Sequence, residues 1–397
     1  MRLFSLTFTI SPLALSMNSD KNHHLRLAFL CGSLEPGCDG VGDYVRTLAL
    51  ELQKLGHLCL CIAINDRYVG QADSIRPEPF SSSGLLVLRF SSSSPWVERF
   101  THLSNQLAYF EPDWISLQFV PYAFHDKGLP IQLRSGLAKI SSRANWNIMI
   151  HELWVDPSVN LAYLLISKIQ KIVVCRLISS LAPKALHASN PYYQLLLQRA
   201  GLAPIILPLF SNISLVSGLD EVAKKGSVWI FVFFGAIHPE WEPMHLLGAI
   251  ASVSQDLQLS QCLFLSIGNS GAHGQRLWTD LERQDYPLFR FQMLGKLSKN
   301  QISSLLKNSD FGITTVPSHL LGKSGSVAAM IAHGLPVIVP RLSSKSKAWD
   351  HELKASGRFV LFDSDFEAAL LKARKYPPHD QLPLTARQFI EDLRSPA

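Results

Sequence analysis

Apolar runs and helically spaced apolar residues alternate along most of the chain. A strand is predicted over Leu25–Cys31, then a loop rich in glycine, a helix over Tyr44–Leu55 and a second strand over His57–Ile64. The helix is indicated by apolar residues at helical spacing before Gly56, and the strands by short apolar runs. This order is the opening of a doubly wound parallel sheet, in which ligands bind over the carboxyl ends of the strands.

The alternation continues and then restarts after a break in composition. In the first half, further strands are predicted at 85–90, 114–119, 147–151 and 185–189, and helices near 97–110, 128–142, 159–180 and 191–200. In the second half, strands are predicted at 228–234, 262–267, 291–294, 311–315 and 359–362, with a helix ending near 254 and another at 299–307. The stretch between the halves, about 204–226, is rich in proline, serine and charge, which is typical of an interdomain linker.

These elements predict an α/β fold with two Rossmann-like domains in tandem that bracket a cleft. The first domain is placed at 25–205, the linker at 206–226, the second domain at 227–376 and a C-terminal helical segment at 377–397.

One loop of the second half has the features of a phosphate-binding turn. A small polar loop runs into a helix rich in alanine and methionine, which ends at Gly334 before the next strand. The first free amides of that helix, at Ser324, Gly325 and Ser326, favour an anion, and Lys323 adds a full positive charge. The G-x-x-x-x-G-K-[ST] spacing of a P-loop is absent, so a phosphate is predicted but no particular nucleotide. The alternative is a helix entered through an ordinary flexible loop.

Composition limits the classes of protein that remain. At 397 residues, with 47% hydrophobic and 17% charged residues, the chain is globular and long enough for two domains. Its net charge of +6 fits an anionic substrate, an anionic membrane surface, or neither. No cluster of Lys and Arg indicates nucleic-acid binding. No metal site is predicted, since there is no Asp-x-Asp and His23 and His24 lie in the N-terminal tail.

Two features bear on the compartment. The six cysteines lack CxxC spacing and lie largely in apolar runs, which predicts reduced, buried thiols in a cytosolic protein. Residues 1–24 imitate a short signal peptide, but they carry one early positive charge and no clear cleavage site. Because Met17 opens a polar stretch before the first strand, a misassigned start is an equal explanation. This tail is expected to be disordered.

From about residue 25 the chain resembles the GT-B glycosyltransferases, and it is most similar to the family 4 group of retaining enzymes that use nucleotide sugars. The resemblance is carried by Gly40–Tyr44 after the first strand, by Gly295–Ser298 with the helix and strand that follow it, and by Gly322–Pro340. It implies a GT-B fold and transfer of a sugar from a nucleotide-diphosphate sugar to a glycan, lipid-linked or small-molecule acceptor. It implies no cofactor besides the donor, and it implies retention.

The resemblance also implies a set of donor-binding residues near the glycine loops and the phosphate-binding turn. They are Lys323, Ser324, Gly325, Ser326, His238, Gly40, Gly42, Gly295 and Lys296. For Gly40 and Gly42 the alternative is a tight turn between strand and helix without a ligand.

Charged residues of the family are missing from this set. The two positions of its Glu-x7-Glu pattern hold Leu321 and Ala329, and the positions of its diphosphate-binding Arg and Lys hold Ala236 and Trp241. A departing diphosphate needs cationic or amide donors aimed at it. Lys323 is the nearest substitute, with His238 and the helix amides completing the set.

The acceptor side rests on residues at strand ends of the first half. His151 ends a strand and is the candidate catalytic residue, against the alternative of a hydrogen-bonded histidine that supports its loop. The family's acceptor-side histidine follows the preceding strand, where Gln118 stands instead, so His151 is a shifted candidate. Glu152 lies beside it. Asn212 resembles the family's linker segment lining the cleft, although a turn asparagine fits equally.

Three further expectations follow from this resemblance and from the sequence. The helical stretch 161–180 carries Lys168, Lys171 and Arg176 among large apolar residues, so it either packs normally or rests on a membrane. A cytoplasmic place is expected, free or at the inner face of a membrane. The final residues, about 382–393, resemble the family's closing helix, which crosses back to the first domain.

Two other classes of function stay open. A GT-B fold that binds a ligand or partner without catalysis is favoured by the missing charges. A nicotinamide-dependent oxidoreductase would use the first glycine loop and the carboxylate of Asp66, 24 residues after Gly42, although that loop is not G-x-G-x-x-G.

Overall fold

The computed structural model describes residues 24–70, 75–77, 84–140, 142–155, 161–216 and 227–395. The predicted N-terminal tail therefore lies outside the described residues except for residue 24, and so does the second half of the predicted linker, at 217–226.

The first half folds into one twisted sheet with helices on both faces. Its strands are β1 Arg26–Cys31, β2 Leu58–Asp66, β3 Ile75–Pro77, β4 Leu86–Ser91, β5 Trp114–Phe119, β6 Asn145–Ile150, β7 Ala185–Ala188 and β8 Ile205–Ile206. Its helices are α1 Gly40–Lys54, α2 Trp96–Phe110, α3 Pro121–Phe124, α4 Ile131–Leu137, α5 Leu161–Leu181 and α6 Pro191–Gln198. The spatial order is β3-β4-β2-β1-β5-β6-β7-β8, and every pair is parallel except β3 with β4.

The second half forms a separate parallel sheet. Its strands are β9 Val228–Phe234, β10 Gln261–Ile267, β11 Phe289–Gly295, β12 Phe311–Ile313, β13 Val337–Val339 and β14 Phe359–Leu361. Its helices are α7 Pro243–Asp256, α8 Gly271–Arg283, α9 Lys299–Asn308, α10 Gly325–Ala332, α11 Lys347–Ala355 and α12 Phe366–Lys372, followed by α13 Leu382–Arg394. Short 3-10 helices lie at Ser318–Lys323 and Ser344–Ser346. The spatial order is β11-β10-β9-β12-β13-β14.

Both parallel sheets share one strand order. Apart from the antiparallel β3, each runs outward in one direction from its first strand and then reverses, with β1 beside β5 and β9 beside β12. This is the doubly wound Rossmann order, and ligands of such sheets bind where the order reverses, over the carboxyl ends of the strands. The prediction of an α/β fold with two Rossmann-like domains is confirmed.

Local chemistry sets where the site-bearing elements begin. Helix α1 begins at Gly40, earlier than predicted, because the Asp39 carboxylate caps it by accepting hydrogen bonds from the amides of Val41 and Gly42. Helix α10 ends before Gly334, which has the left-handed φ of 79° expected of a C-terminal glycine. A side chain on Gly334 would also meet the backbone oxygen of Tyr376 at 2.0 Å.

Some elements differ from the prediction. The helix predicted at 128–142 is only α4, because Gly128 takes a left-handed φ of 64° and Pro130 restricts the start of the helix. Strands β3 and β8 were not predicted, since they have three and two residues and no period to detect. The cysteines are free, but Cys38 is exposed and Cys175 half-buried, so the expectation of uniformly buried thiols was wrong.

Helix α13 leaves the second domain and packs on the first. The segment before it is held on the second domain, where the Tyr376 amide donates to Gly334 O over 3.0 Å. In α13 itself, Ala386, Phe389, Ile390 and Leu393 join the core formed by β1, β2 and α1. Phe389 is fully buried and stacks on Phe29 with ring centroids 5.9 Å apart. The two domains are therefore connected twice, through the linker and through α13.

Replacing Phe389 with alanine should therefore destabilise the first domain. Deleting a fully buried aromatic ring costs about 3–5 kcal/mol, from lost burial and the cavity left behind. The measurement is chemical denaturation of the purified protein. Leu384→Ala, on the same helix but 47% exposed, is the matched control and should cost less than about 0.5 kcal/mol. Equal effects of the two substitutions would show that α13 does not pack as described.

Candidate active site

A cleft of about 450 Å³ opens at the carboxyl edge of the first sheet and reaches the start of α10 in the second domain. From the first domain it is lined by the loops after β1, β2, β5 and β6; from the linker by Phe210 and Asn212; and from the second domain by Lys323 and Gly325. This volume is in the range of small-molecule sites. We refer to it as the interdomain cleft.

His151 lies on the first-domain wall of the cleft, directly after β6. Its side chain is buried, its backbone amide donates to Phe119 O over 3.0 Å, and its Nε2 lies 2.9 Å from Gln118 Oε1. Burial lowers the pKa of His151 from 6.5 to about 3, so the ring is neutral at physiological pH. The structure thus brings His151 and Gln118 together as one hydrogen-bonded pair facing the cleft.

Tyr44 and Asn212 carry polar atoms that have no partner among the described residues. Tyr44 lines the cleft on α1, stacks on Phe210 at 4.5 Å and meets the His151 ring edge-on at 4.9 Å. Its buried hydroxyl makes no hydrogen bond, and neither does Asn212 Oδ1, whose Nδ2 donates to Gly40 O over 3.3 Å. Buried polar atoms normally find partners, so unpaired ones beside a cavity indicate a place for a polar ligand or water.

Lys323, predicted to bind the donor diphosphate, already has a charged partner in this structure. Its Nζ lies 2.7 Å from Glu152 Oε1, so the ion pair joins the second domain to the first. Burial alone would lower the pKa of Lys323, but nearby Tyr193 and the Glu152 carboxylate raise it on balance, so the amine stays charged. An anionic ligand would compete with Glu152 for Lys323.

The start of α10 agrees with only part of the predicted anion-binding set, because the amide of Ser324, expected to be free, donates to Leu321 O over 3.1 Å. Ser324 is the N-cap, and its hydroxyl accepts from Val327 N over 3.3 Å and lies 3.0 Å from Ser326 Oγ. Within the described part of the chain, the amides of Gly325 and Ser326 donate to nothing, and Gly325 lines the cleft. Two free amides at a helix N-terminus beside a lysine suit a phosphate oxygen.

The first glycine loop serves the fold more than a ligand. A side chain on Gly42 would lie 2.5 Å from Ser33 O, and the Gly42 amide is already bonded to Asp39, so Gly42 is a packing glycine and not a phosphate contact. Gly40 does line the cleft, with open space around its Cα. The proposed approach of a ligand to the backbone therefore applies to Gly40 only.

His238 is placed in a polar cluster at the carboxyl edge of the second sheet. Its amide donates to Thr315 Oγ1 over 2.9 Å, and its Nδ1 accepts from Glu240 N over 3.2 Å. Glu240 in turn pairs with Arg341 at 2.6 Å. Burial and the positive charge of Arg341 lower the pKa of His238. His238 does not line the interdomain cleft described above, and Arg341 is a cation near the second-domain edge that the sequence did not single out.

Gly295 and Lys296 lie apart from the cleft. Gly295 ends β11, the edge strand of the second sheet, and Lys296 is exposed in the loop that follows. Neither residue lines the interdomain cleft.

The residues that the sequence comparison set at the family's charged positions are buried here. Leu321 and Ala329 lie in the core beneath α10, and Trp241 is buried beside Phe233 with ring centroids 5.2 Å apart. An unpaired carboxylate at 321 or 329 would therefore cost several kcal/mol.

Asp66 is unavailable for a ribose. It is fully buried, its Oδ2 lies 2.8 Å from Arg89 Nε, and it accepts from the amides of Leu34 and Tyr68. Burial raises its pKa, but Arg89 and these amides lower it on balance, so the carboxylate stays charged and fully bonded. Asp66 therefore cannot serve as the ribose-binding carboxylate that the oxidoreductase alternative requires.

Other cleft residues were missed from the sequence. Asn65 lies near the end of β2, Arg67 and Tyr68 follow that strand, and Tyr122 lies in α3, shortly after β5. Their position just after predicted strands was the available indication, because strand ends of parallel sheets hold ligand-binding residues. Together with Tyr44 they give the cleft aromatic faces and hydrogen-bonding groups, a combination suited to a ligand rich in hydroxyls.

Two kinds of feature are absent from the described residues. No group of His, Cys, Asp and Glu among them is arranged to hold a metal ion. None of the helices in the described ranges combines the length and apolar character needed to cross a membrane.

Comparisons with known proteins agree with the fold. No family model and no curated protein matches the chain. Among solved structures, a glycosyltransferase from Rickettsia africae has a TM-score of 0.55 at 12% identity, covering 94% of this chain and 98% of that one. Trehalose-6-phosphate synthase has a TM-score of 0.56 at 11% identity, and the likeness covers 93% of this chain and 99% of that one. UDP-GlcNAc 2-epimerase from Methanocaldococcus jannaschii has a TM-score of 0.51 at 11% identity, covering 94% of this chain and 99% of that one.

At such identities these likenesses show the fold alone. They extend over nearly the whole chain, so the paired arrangement of the two Rossmann-like domains is shared, not only one domain. The fold is the GT-B arrangement predicted from the sequence.

The buried, neutral His151 predicts a specific loss of stability in acid. The unfolded chain takes up a proton at this residue below about pH 6.5, whereas the folded protein does so only near pH 3, so stability falls as pH drops between these values. The slope is about 1.4 kcal/mol per pH unit. His151→Gln abolishes this contribution, so its stability relative to the parent should improve by about 2 kcal/mol between pH 7 and pH 5.

The measurement is chemical denaturation of both proteins at the two pH values. The other histidines titrate equally in both, so they cancel in the difference. A stability gap that does not change with pH would contradict a buried, neutral His151.

Proposed function

We propose that this protein is a glycosyltransferase that moves a sugar from a nucleotide-diphosphate sugar to an acceptor held on its first domain. The observation that carries the proposal is the interdomain cleft itself. It sets a helix N-terminus with two free amides and Lys323 against a wall of Tyr44, Gln118 and His151 at the edge of the other sheet.

The donor diphosphate is assigned to the start of α10. Its oxygens would accept hydrogen bonds from the amides of Gly325 and Ser326 and from Lys323. Lys323 would turn from Glu152 to the diphosphate, because the diphosphate carries more negative charge. Ser324 and Ser326 hydroxyls add neutral donors. These groups take the place of the charged residues that the resembling family has at other positions, and this chain has fewer such groups than the family does.

The acceptor is assigned to the first-domain wall, where Asn65, Arg67 and Tyr68 line the cleft, with Asn212 of the linker beside them. An acceptor hydroxyl attacks the anomeric carbon, the bond from that carbon to the phosphate oxygen breaks, and its electron pair stays on the diphosphate. The hydroxyl proton passes to the departing phosphate oxygen, so the products are the glycoside and the nucleoside diphosphate.

This assignment fits a neutral His151. A histidine whose pKa is about 3 is a poor proton acceptor near neutral pH, which argues against its use as the general base that an inverting enzyme needs. It can still orient an acceptor hydroxyl by hydrogen bonding. Retention, with the leaving group taking the proton, is therefore favoured, and trehalose-6-phosphate synthase, described as transferring with retention, has the same fold.

The alternative is a GT-B protein that binds its ligand without catalysis. It is favoured by Leu321 and Ala329 at the family's carboxylate positions and by the Lys323–Glu152 pair in the cleft. A ligand-binding assay and a transfer assay, run together, separate the two. Nucleotide binding without transfer to any glycan or lipid-linked acceptor would support the non-catalytic alternative.

The first test is a thermal-shift screen with nucleoside diphosphates and their sugars, with NAD as the comparison. A ligand of the folded state raises its stability by mass action, by about 2.7 kcal/mol at a hundred times its Kd. A shift with a nucleoside diphosphate and none with NAD is the expected result. If no nucleotide shifts the melting temperature, the proposal fails.

Two substitutions should then change nucleoside-diphosphate affinity in opposite directions. Lys323→Met removes a charged hydrogen-bond donor and should weaken binding by about 1.5–3 kcal/mol. Glu152→Gln removes the competing carboxylate and should strengthen binding by up to about 1 kcal/mol. Calorimetric titration measures both. Lys372→Met, an exposed lysine on α12, is the control for net charge, and a loss equal to that of Lys323→Met would contradict the assignment.

Helix α5 supports a lipid-linked acceptor at a membrane surface. Its outer face leaves large apolar side chains exposed, with Leu165 at 61%, Ile169 at 40% and Ile172 at 51%. Lys168 and Arg176 are exposed on the same helix, which has no acidic residue. Exposed apolar side chains flanked by cations suit the interface of a membrane with anionic lipids.

Replacing Ile169 and Ile172 together with glutamate should therefore weaken binding to anionic vesicles by about tenfold or more, because it removes apolar contact and adds repulsion. Co-sedimentation with vesicles of mixed phosphatidylglycerol and phosphatidylcholine is the measurement. Val97→Glu, at a site 79% exposed on α2, is the control. Parent protein that fails to sediment would contradict the membrane contact and leave the nucleotide site unaffected.

A further inference from the structure

A continuous chain of hydrogen bonds runs behind the candidate site, from the cleft to the C-terminal helix. All of its members are buried polar side chains in the first domain or on α13: His151, Gln118, Ser116, Asn147, His187 and Asp392. The links measure 2.9, 2.8, 2.6, 2.9 and 2.9 Å in that order. None of them except His151 and Gln118 lines the cleft, so the proposed function does not use the rest.

The direction of this chain is fixed at Asn147. Asn147 Nδ2 lies 3.0 Å from the backbone oxygen of Ala185, which can only accept, so this end of the amide must be the NH₂ group. The same NH₂ group lies 2.9 Å from His187 Nδ1, which must therefore accept. The His187 proton is then on Nε2, from which it donates to Asp392 Oδ2 over 2.9 Å.

The direction carries through to the cleft. Asn147 Oδ1 accepts from the Ser116 hydroxyl, so Ser116 Oγ is free to accept from Gln118 Nε2. The other end of the Gln118 amide, Oε1, therefore faces His151 Nε2, and this oxygen can only accept a hydrogen bond. His151 Nε2 must then carry the proton. Because the ring is neutral, its Nδ1 carries none.

We propose that Ser116 and Asn147 are positioning residues that fix the tautomer of His151, so that Nδ1 of this cleft-lining ring is a bare hydrogen-bond acceptor. His187 and Asp392 hold the far end of the chain and bring α13 into the same arrangement. The inference about the tautomer stands on the first domain alone. Its use, accepting a hydrogen bond from a hydroxyl of the sugar or acceptor, rests on the proposed function.

Reversing the chain would require several unfavourable contacts at once. If Asn147 turned over, its Oδ1 would face the Ala185 carbonyl, and two acceptors would meet in a buried place. His187 would have to move its proton to Nδ1, and Asp392 would lose a donor. Such a chain therefore holds one direction, in the way that the partner of one imidazole nitrogen sets the state of the other.

The test is nitrogen NMR of protein labelled with ¹⁵N in its histidines, recorded at pH 7 without any substrate. His151→Gln assigns the ring by the loss of its signals. The parent should show His151 as a single neutral tautomer with the proton on Nε2. A ring protonated on Nδ1, a charged ring, or an equal mixture of tautomers would overturn the proposal, and this result needs no further variant to fold.

Two variants then test the chain itself. Ser116→Ala removes the anchor of Gln118, so the amide can turn over and His151 should become a mixture of tautomers. Ser116→Thr keeps a hydroxyl and should restore the parent spectrum. If Ser116→Ala is folded and still shows the parent tautomer, Ser116 does not position His151.

Activity provides a separate readout. In a transfer assay, Ser116→Ala should lower kcat about tenfold or more while nucleotide affinity stays within about twofold, since the donor site lies on the other domain. If the parent shows the expected tautomer but no nucleotide binds, the proposed function fails and the tautomer inference stands. If transfer occurs with the opposite tautomer, the inference fails alone.

Discussion

The return of α13 to the first domain is the contact on which the arrangement of the molecule depends. Two Rossmann-like domains joined only by a linker could face one another in many ways. Here the segment after α12 is hydrogen-bonded to the second domain at Gly334, and Phe389 then enters the core of the first domain against Phe29. This second connection limits how the two domains can face one another, and in this arrangement the start of α10 lies at the carboxyl edge of the first sheet.

Both domains contribute charge to this cleft, with Lys323 from the second domain and Arg67 and Glu152 from the first. The positions where the resembling family places carboxylates hold Leu321 and Ala329, both buried, and Lys323 is paired with Glu152 across the domains. An ion pair that competes with an anion for the lysine lowers the affinity for that anion, but it also keeps the lysine charged and oriented. The same pair adds a contact between the domains, so ligand binding and domain contact are coupled through one side chain.

Much of the fold could be predicted because the strands are short apolar runs that are buried on both faces, and the predicted strand at 114–119 agrees with β5 at both ends. The glycine loops and the turn before α10 were found for the same reason, since they interrupt that pattern. Short elements such as β8 have no pattern to detect. Residue identity alone could not separate Gly40, which lines the cleft, from Gly42, which packs against Ser33.

The partners of polar side chains were the least predictable part of the site. Glu152 and Lys323 are 171 residues apart, and His187 and Asp392 are 205 apart, so no local pattern joins them. Ser116 and Asn147 lie within strands, where serine and asparagine are uncommon. No sequence motif marks either residue as functional. Their role appears only when the sheet sets β5, β6 and β7 side by side.

The proposed function requires that a nucleoside diphosphate bind between the start of α10 and the first-domain wall. Amide hydrogen exchange, measured by mass spectrometry with and without UDP, GDP and ADP in turn, tests this most directly, because bound phosphate oxygens would occupy the free amides of Gly325 and Ser326. Slower exchange is predicted with at least one of these nucleotides in peptides spanning 322–330, and in those spanning 149–154 if the domains close. Exchange that is unchanged at 322–330 with all three, or slowed only at surfaces away from the cleft, would contradict it.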